Sequence, residues 1–158
     1  MDVLIRNSEE LAKEVNENKD LIRPNQNIRI EFQTDGHELN DVEGKSIQFT
    51  TTKDGVTDER FDFYGRDIRC WGDCVMRDFY GRCFDGGYFC GRDWNGRNAI
   101  CWGFEGRNIV YYATFIAYHR FMCVNATGIL ENSIHKCLNE KIEYIREEDF
   151  RYGVYSHY

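Results

Sequence analysis

From Arg77 to Tyr111 the chain reads R-D-F-Y-G, R-C-F-D-G, G-Y-F-C-G, R-D-W-N-G, R-N-A-I-C, W-G-F-E-G, R-N-I-V-Y, a run of units with the consensus R-[D/N]-[F/W]-x-G. A short unit repeated at fixed spacing marks a stacked architecture. Side chains of a flat strand change face every second residue, so an odd repeat of five would send successive Phe side chains to opposite sides. The chain must therefore turn within each unit. Gly81, Gly86, Gly91, Gly96 and Gly106 close most units and suit a corner or a close backbone approach. Four units would make one square coil, with residues roughly 20 apart stacked on each other. That geometry predicts Phe84 beneath Phe104, Phe79 beneath Ala99 and Phe89 beneath Ile109. Phe79, Phe84, Phe89 and Trp94 would fill the interior, each ring burying area worth roughly 1.5–3 kcal/mol.

The pairs Asp67-Ile68, Asp78-Phe79, Asp93-Trp94 and Asn108-Ile109, with Asn98-Ala99 as a half match, resemble the pentapeptide-repeat family over about a third of the chain. The resemblance implies a right-handed quadrilateral β-helix. The family places a small inward residue two positions before the central one, where this chain has Arg66, Arg77, Arg82, Arg92, Arg97 and Arg107. Arginine does not fit a narrow apolar coil. Either the coil is wider or differently phased, with Gly as the second inward position, or another β-solenoid has reached a similar repeat.

The fold expectation is a mainly β chain: a small right-handed β-solenoid over residues 61–124, an acidic α/β cap over 1–60, and a C-terminal β cap and tail over 125–158. Asn7-Ser8-Glu9-Glu10 reads as a capping box before a short helix whose Leu11, Ala12 and Val15 share a face and which ends before Pro24. Ile28 to Phe32 and Ser46 to Thr52 alternate as half-buried strands, with turns at Asp35-Gly36 and Asp54-Gly55. Val110 to Tyr118 and Phe121 to Val124 read as last rungs buried on both faces. Ile134 to Leu138 and Ile142 to Ile145 could pair as a hairpin or edge closing the far end, and Tyr152, Tyr155 and Tyr158 lie in a polar tail.

A chain of 158 residues is one domain's worth of core. No apolar run approaches a membrane span and no signal-peptide pattern opens the sequence, which points to the cytoplasm. Seven cysteines, an odd number, then read as reduced core residues. Cys70 and Cys74 with Cys83 or Cys90 have poor zinc spacing, and Cys123 or Cys137 could meet His119 or His135 only through the fold. His37, His119, His135 and His157 are scattered, and the glycines follow no phosphate-loop fingerprint. The expectation is a binding protein, not an enzyme, with no cofactor and no metal.

Charge supplies the functional hint. Residues 1–60 hold 14 acidic against 8 basic side chains, residues 61–112 hold 7 of each, and residues 113–158 hold 6 against 5. An acidic surface with Glu9, Glu10, Glu14, Asp35, Glu38 and Asp41 favours a basic partner such as a nucleic-acid enzyme. Members of the resembled family that mimic duplex DNA occupy such channels, so the leading expectation is a phage or mobile-element inhibitor of a host defence or nucleic-acid enzyme: anti-CRISPR, anti-restriction or topoisomerase-directed. The alternative is a nucleotide- or RNA-binding module that uses Arg77, Arg82, Arg92, Arg97 and Arg107, with Arg77 and Arg97 aligned, and Tyr80 or Trp102 as a stacking platform. The plainer reading of the same arginines is a set of carboxylate-bridged ladders. A third expectation is a homodimer formed through a solenoid end.

Overall fold

The computed structural model describes residues 2–32, 39–53 and 56–151, with backbone alone at 52–53 and 56–59. The chain is mainly β and winds as a parallel β-solenoid of about six turns. Its elements are β1 (Val3–Ile5), α1 (Ser8–Glu14), β2 (Leu21–Ile30), β3 (Asp41–Lys53), β4 (Val56–Arg60), β5 (Phe63–Tyr64), β6 (Asp67–Val75), β7 (Asp78–Tyr80), β8 (Cys83–Cys90), β9 (Asp93–Glu105), β10 (Asn108–Cys123), β11 (Asn125–Gly128), β12 (Ile134–Cys137) and β13 (Glu143–Tyr144).

Register corrects the coil from four units to three. Asp78 pairs with Asp93 and Asp93 with Asn108, a step of 15 residues, while Asp67 pairs with Cys83, a step of 16. A turn is therefore three pentads, and its outline is triangular. The final turn makes this plain, because β11, β12 and β13 lie in succession along three sections of β10. The stacked pairs change accordingly: Phe79 lies under Trp94, Phe84 under Ala99 and Phe89 under Phe104. Phe79 and Trp94 are face to face at 4.9 Å and 8°, and Phe89 and Phe104 at 5.0 Å and 3°. Phe84 and Phe104 are both buried but are not neighbours in a column.

Three inward columns build the core: Phe63, Phe79, Trp94 and Ile109; Ile68, Phe84, Ala99 and Phe115; Cys74, Phe89, Phe104 and Phe121. Small Ala99 lets Phe115 reach across, so that its ring meets Trp94 edge-on at 4.9 Å and Phe104 at 5.0 Å. The interior is a packed aromatic solid, and each ring removed would leave a cavity.

The glycine of each unit has a direct cause. It stands two residues after the aromatic and so shares its inward face. A Cβ at Gly81 would lie 2.7 Å from Phe79 Cζ and 2.8 Å from the Arg66 carbonyl of the turn below. The ring folds over its own glycine and leaves no room for a side chain. Gly86 differs, with φ of +137° and an imagined Cβ 1.8 Å from the Cys70 carbonyl. Only glycine holds that conformation without strain.

The boundary expected at residue 60 does not interrupt the sheet. β1, β2 and β3 pair in parallel and β3 continues onto β6, so residues before 60 already form turns of the stack. Their turns are longer because α1 and the antiparallel β3/β4 pair are inserted. α1 is capped by Asn7, whose side chain accepts the Glu10 N–H at 2.9 Å, while Glu10 reaches back to the Arg6 N–H at 2.7 Å. Leu11 is buried, Val15 half-buried and Ala12 exposed. Pro24 lies inside β2, at an irregularity in its pairing with β3. The turns expected at Asp35-Gly36 and Asp54-Gly55 fall outside the described residues, as do His37, His157, Tyr152, Tyr155 and Tyr158.

Over its first sections β10 alternates rather than being buried on both faces, with Ile109, Tyr111 and Phe115 inside and Val110 and Tyr112 outside, whereas Phe121, Met122 and Cys123 at its end are all buried, as expected. β12 and β13 do not form a hairpin with each other; both run parallel to β10 on different sides of the triangle. None of the seven cysteines is in a disulfide, and Cys70, Cys74, Cys90, Cys101 and Cys123 are buried. Burial pushes the Cys123 thiol up to about 12 and raises Cys74 and Cys101 as well, which keeps these thiols protonated.

Candidate functional site

The R-[D/N] dipeptide sits at two of the three corners and links successive turns. At five of these steps the carboxylate of one turn accepts two bonds from the arginine of the next. Arg77 Nε and Nη2 meet Asp62 at 2.7 and 3.0 Å, Arg92 meets Asp78 at 3.0 and 2.6 Å, and Arg107 meets Asp93 at 3.0 and 2.8 Å. These three stand on one corner. On the second corner Arg66 meets Asp41 at 2.8 and 2.6 Å, and Arg82 meets Asp67 at 3.0 and 2.5 Å. The same Asp Oδ1 also accepts a backbone N–H of the next turn: Asp67 to Asp41, Asp78 to Asp62, Cys83 to Asp67 and Asp93 to Asp78. A planar fork and a carboxylate satisfy each other fully in this geometry.

Arg97 breaks the pattern. It follows Arg82 on the second corner, its N–H bonded to the Arg82 carbonyl at 2.6 Å, but the residue one turn below is Cys83 where the other rows have Asp. Among the described residues Arg97 alone of the six repeat arginines has no carboxylate partner. Arg97 is exposed, and no acidic side chain among the described residues pairs with its guanidinium.

A groove of about 860 Å³ runs beside this second corner. Arg66, Arg82 and Arg97 form one wall; Tyr80, Asn95 and Val110 form the other; Tyr112 and Leu130 close it toward the C-terminal end. The wall-to-wall spacing follows from sequence, since Tyr80-Gly81-Arg82 and Asn95-Gly96-Arg97 each step across the groove in three residues. The Tyr80 ring is stacked on Tyr64 at 4.9 Å and 10°, and its hydroxyl donates to Asp78 at 3.3 Å. Burial, with the Asp78 charge behind it, pushes the Tyr80 phenol up to about 12, so it remains a donor and its ring is fixed.

The expected anion-site residues therefore separate. Arg77, Arg92 and Arg107 are fully engaged on the first corner. Arg77 and Arg97 lie on different corners, which removes the alignment expected from a 20-residue turn. Arg82, Arg97 and Tyr80 do meet in the groove, while Trp102 is on the third corner against Tyr118 and His119. Sequence reasoning missed Asn95, Val110, Tyr112 and Leu130, and a step of 15 instead of 20 would have found the first three.

The expected acidic surface is also divided. Glu9 is exposed on α1, Glu10 caps the helix and Glu14 pairs with Arg23 at 3.1 Å. Asp41 is committed to Arg66, whose fork holds its carboxyl below the usual value despite partial burial. Asp35 and Glu38 lie outside the described residues. Among the described residues no three His, Cys, Asp or Glu are arranged to hold a metal ion, and no helix is long and apolar enough to cross a membrane. Comparison with protein-family models, curated proteins and solved structures gives no match.

Proposed function

We propose that this protein is a non-catalytic binding module whose working site is the groove at the second corner, and that it takes a small anionic ligand with a flat or apolar body, of which a nucleotide or an RNA end is one example. The observation that carries this reading is Arg97, with no acidic partner among the described residues, lining a groove walled by the Tyr80 ring, Val110 and Tyr112. Pockets of this size with apolar walls and few polar groups are the usual form of small-molecule sites. Amide shifts of the labelled protein titrated with AMP and with 1-naphthoate, two flat anions, test it. Perturbations centred on Gly81, Gly96 and Tyr112 are expected. Silence with both ligands, or shifts centred on Trp71 and Trp102, overturns the reading.

A second reading is a phage or mobile-element inhibitor that presents an acidic surface to a basic host nucleic-acid enzyme. One observation favours it: the Arg–Asp pairs neutralise each other within the repeats, so the charge surplus rests on residues 1–60, with Glu9 exposed. Dose-dependent inhibition of a purified restriction nuclease or topoisomerase, lost on charge reversal of Glu9, Glu10 and Glu14, would support it. Full enzyme activity at saturating protein across such a panel sinks it.

A further inference from the structure

The third corner carries no R-[D/N] dipeptide, and its outer side chains follow a different series along the stack. From turn to turn it presents Lys45, Trp71, Gly87, Trp102 and the pair Tyr118-His119, as the register on either side of the corner requires. Trp71 is 65% exposed and Trp102 43%. Between them lies a bare rung, because a Cβ at Gly87 would stand 2.2 Å from the Gly72 carbonyl and 2.7 Å from that of Trp71. The ring contacts of Trp102 all come from the turn above, from His119 at 4.5 Å and Tyr118 at 5.9 Å. Among the described residues Trp71 meets no other ring. The two indoles therefore flank the bare rung in register, and neither has an aromatic partner in it.

We infer that the Gly87 rung is a binding site for a quaternary ammonium head, such as that of choline, held between Trp71 and Trp102. This site is separate from the groove of the second corner and does not depend on it. Spacing sets the fit. Adjacent strands are about 4.8 Å apart, so residues two turns apart stand about 9.6 Å from each other, and a cation midway lies inside the roughly 6 Å over which an aromatic face attracts it. Charge sets the sign. The carboxylate of Asp73, two residues after Trp71, is half-buried and makes no ion pair or hydrogen bond among the described residues, and burial raises its carboxyl above the ordinary value. Neighbouring charges are already paired: Arg120 with Glu105 at 3.0 Å, and Arg69 with Asp85 at 3.9 Å. Lys45 lies one turn below Trp71, on the side away from the rung. An unpaired acid beside two π faces selects a cation, and a methylated head suits the place better than a bare ammonium, which is held strongly by its own water.

Calorimetry on the whole protein with choline, its neutral isostere 3,3-dimethylbutan-1-ol and a peptide carrying trimethyllysine tests the site, with thermal unfolding of every variant alongside. Choline is expected to bind at least about tenfold more tightly than the alcohol, and Trp71→Leu and Trp102→Leu should each weaken it by about fivefold or more. Asp73→Asn should weaken choline and leave the alcohol unaltered. In the parent protein choline should shift the indole N–H signals of Trp71 and Trp102 and leave that of buried Trp94 in place, a readout that needs no variant to fold. Tighter binding of the peptide than of choline supports the site and assigns its head to a methylated protein. Equal binding of choline and the alcohol overturns the inference. So does choline binding that survives both tryptophan substitutions, or the absence of heat and of indole shifts with either cation at millimolar concentration.

Discussion

The two arginine corners share a dipeptide and differ in depth. On the first corner the side chains of Asp62 and Asp78 are 9% and 2% exposed; on the second, those of Asp41 and Asp67 are 28% and 30% exposed. The cause lies two residues downstream. Asp62-Phe63-Tyr64 and Asp78-Phe79-Tyr80 place a phenol beside each first-corner acid, and Tyr64 and Tyr80 donate to Asp62 and Asp78 at 3.4 and 3.3 Å. At the second corner Asp41 is followed two residues on by Glu43, and Asp67 by Arg69. One motif thus serves as interior structure at one corner and as a surface fork at the other, and only the surface version has a vacant row.

The largest effect that can break this contrast is loss of a first-corner acid. Asp78→Ala strips Arg92, the Asp93 N–H and the Tyr80 hydroxyl of their acceptor at a buried point, and should cost about 3–5 kcal/mol in denaturant unfolding. Asp67→Ala, half open to water, should cost about 1 kcal/mol or less. Equal losses would mean that depth does not separate the corners. Next in size is Gly96→Ala, on the strand that crosses the groove. Its Cβ would meet Trp94 at 2.8 Å and the Arg82 carbonyl at 3.0 Å, for a loss of about 1–3 kcal/mol. A neutral result there would refute the account of the glycine column.

Cys83→Asp makes the two corners alike and should raise stability by up to about 1 kcal/mol, the range of an exposed pair; destabilisation would show that the row cannot accept an acid. The smallest effect is in pH. The Asp41 carboxyl is held below its unfolded value, so its contribution is complete above about pH 4 and is lost as pH falls through the folded value. Acid titration of unfolding free energy should therefore be shallower for Arg66→Gln than for the parent below about pH 4, with the two slopes alike above pH 5.

Much of this fold was legible, for a reason visible in its residues. An odd repeat with an aromatic at its centre cannot stay in one strand, and that argument alone requires a coil. The number of sides was legible as well, though in a different column of letters. The first residues of successive units are Arg77, Arg82, Gly87, Arg92, Arg97, Trp102, Arg107 and Tyr112, a pattern that renews every third unit. The aromatic column masks it, because Phe79, Phe84, Phe89 and Trp94 look alike at every corner. The turns before Asp67 gave no such signal, since α1 and the β3/β4 pair lengthen them and remove any fixed period. The groove was half legible: Arg82, Arg97 and Tyr80 stood out by type, but Val110 and Leu130 are ordinary residues until the turn length brings them together.

That likeness among the aromatic units has a consequence for how the chain finds its alignment. A coil that slipped by one pentad would still bury Phe on Phe, so hydrophobic packing by itself tolerates several windings of nearly equal merit. What distinguishes them is polar. A slip of five residues, to a step of 20, would set Arg107 over Gly87-Tyr88 in place of Asp93 and would press Trp102 toward the Arg82 row, stranding a carboxylate that the native winding neutralises. The arginine forks add little to the depth of the native state and much to its uniqueness: they act as the teeth that stop an otherwise smooth screw from turning past its seat.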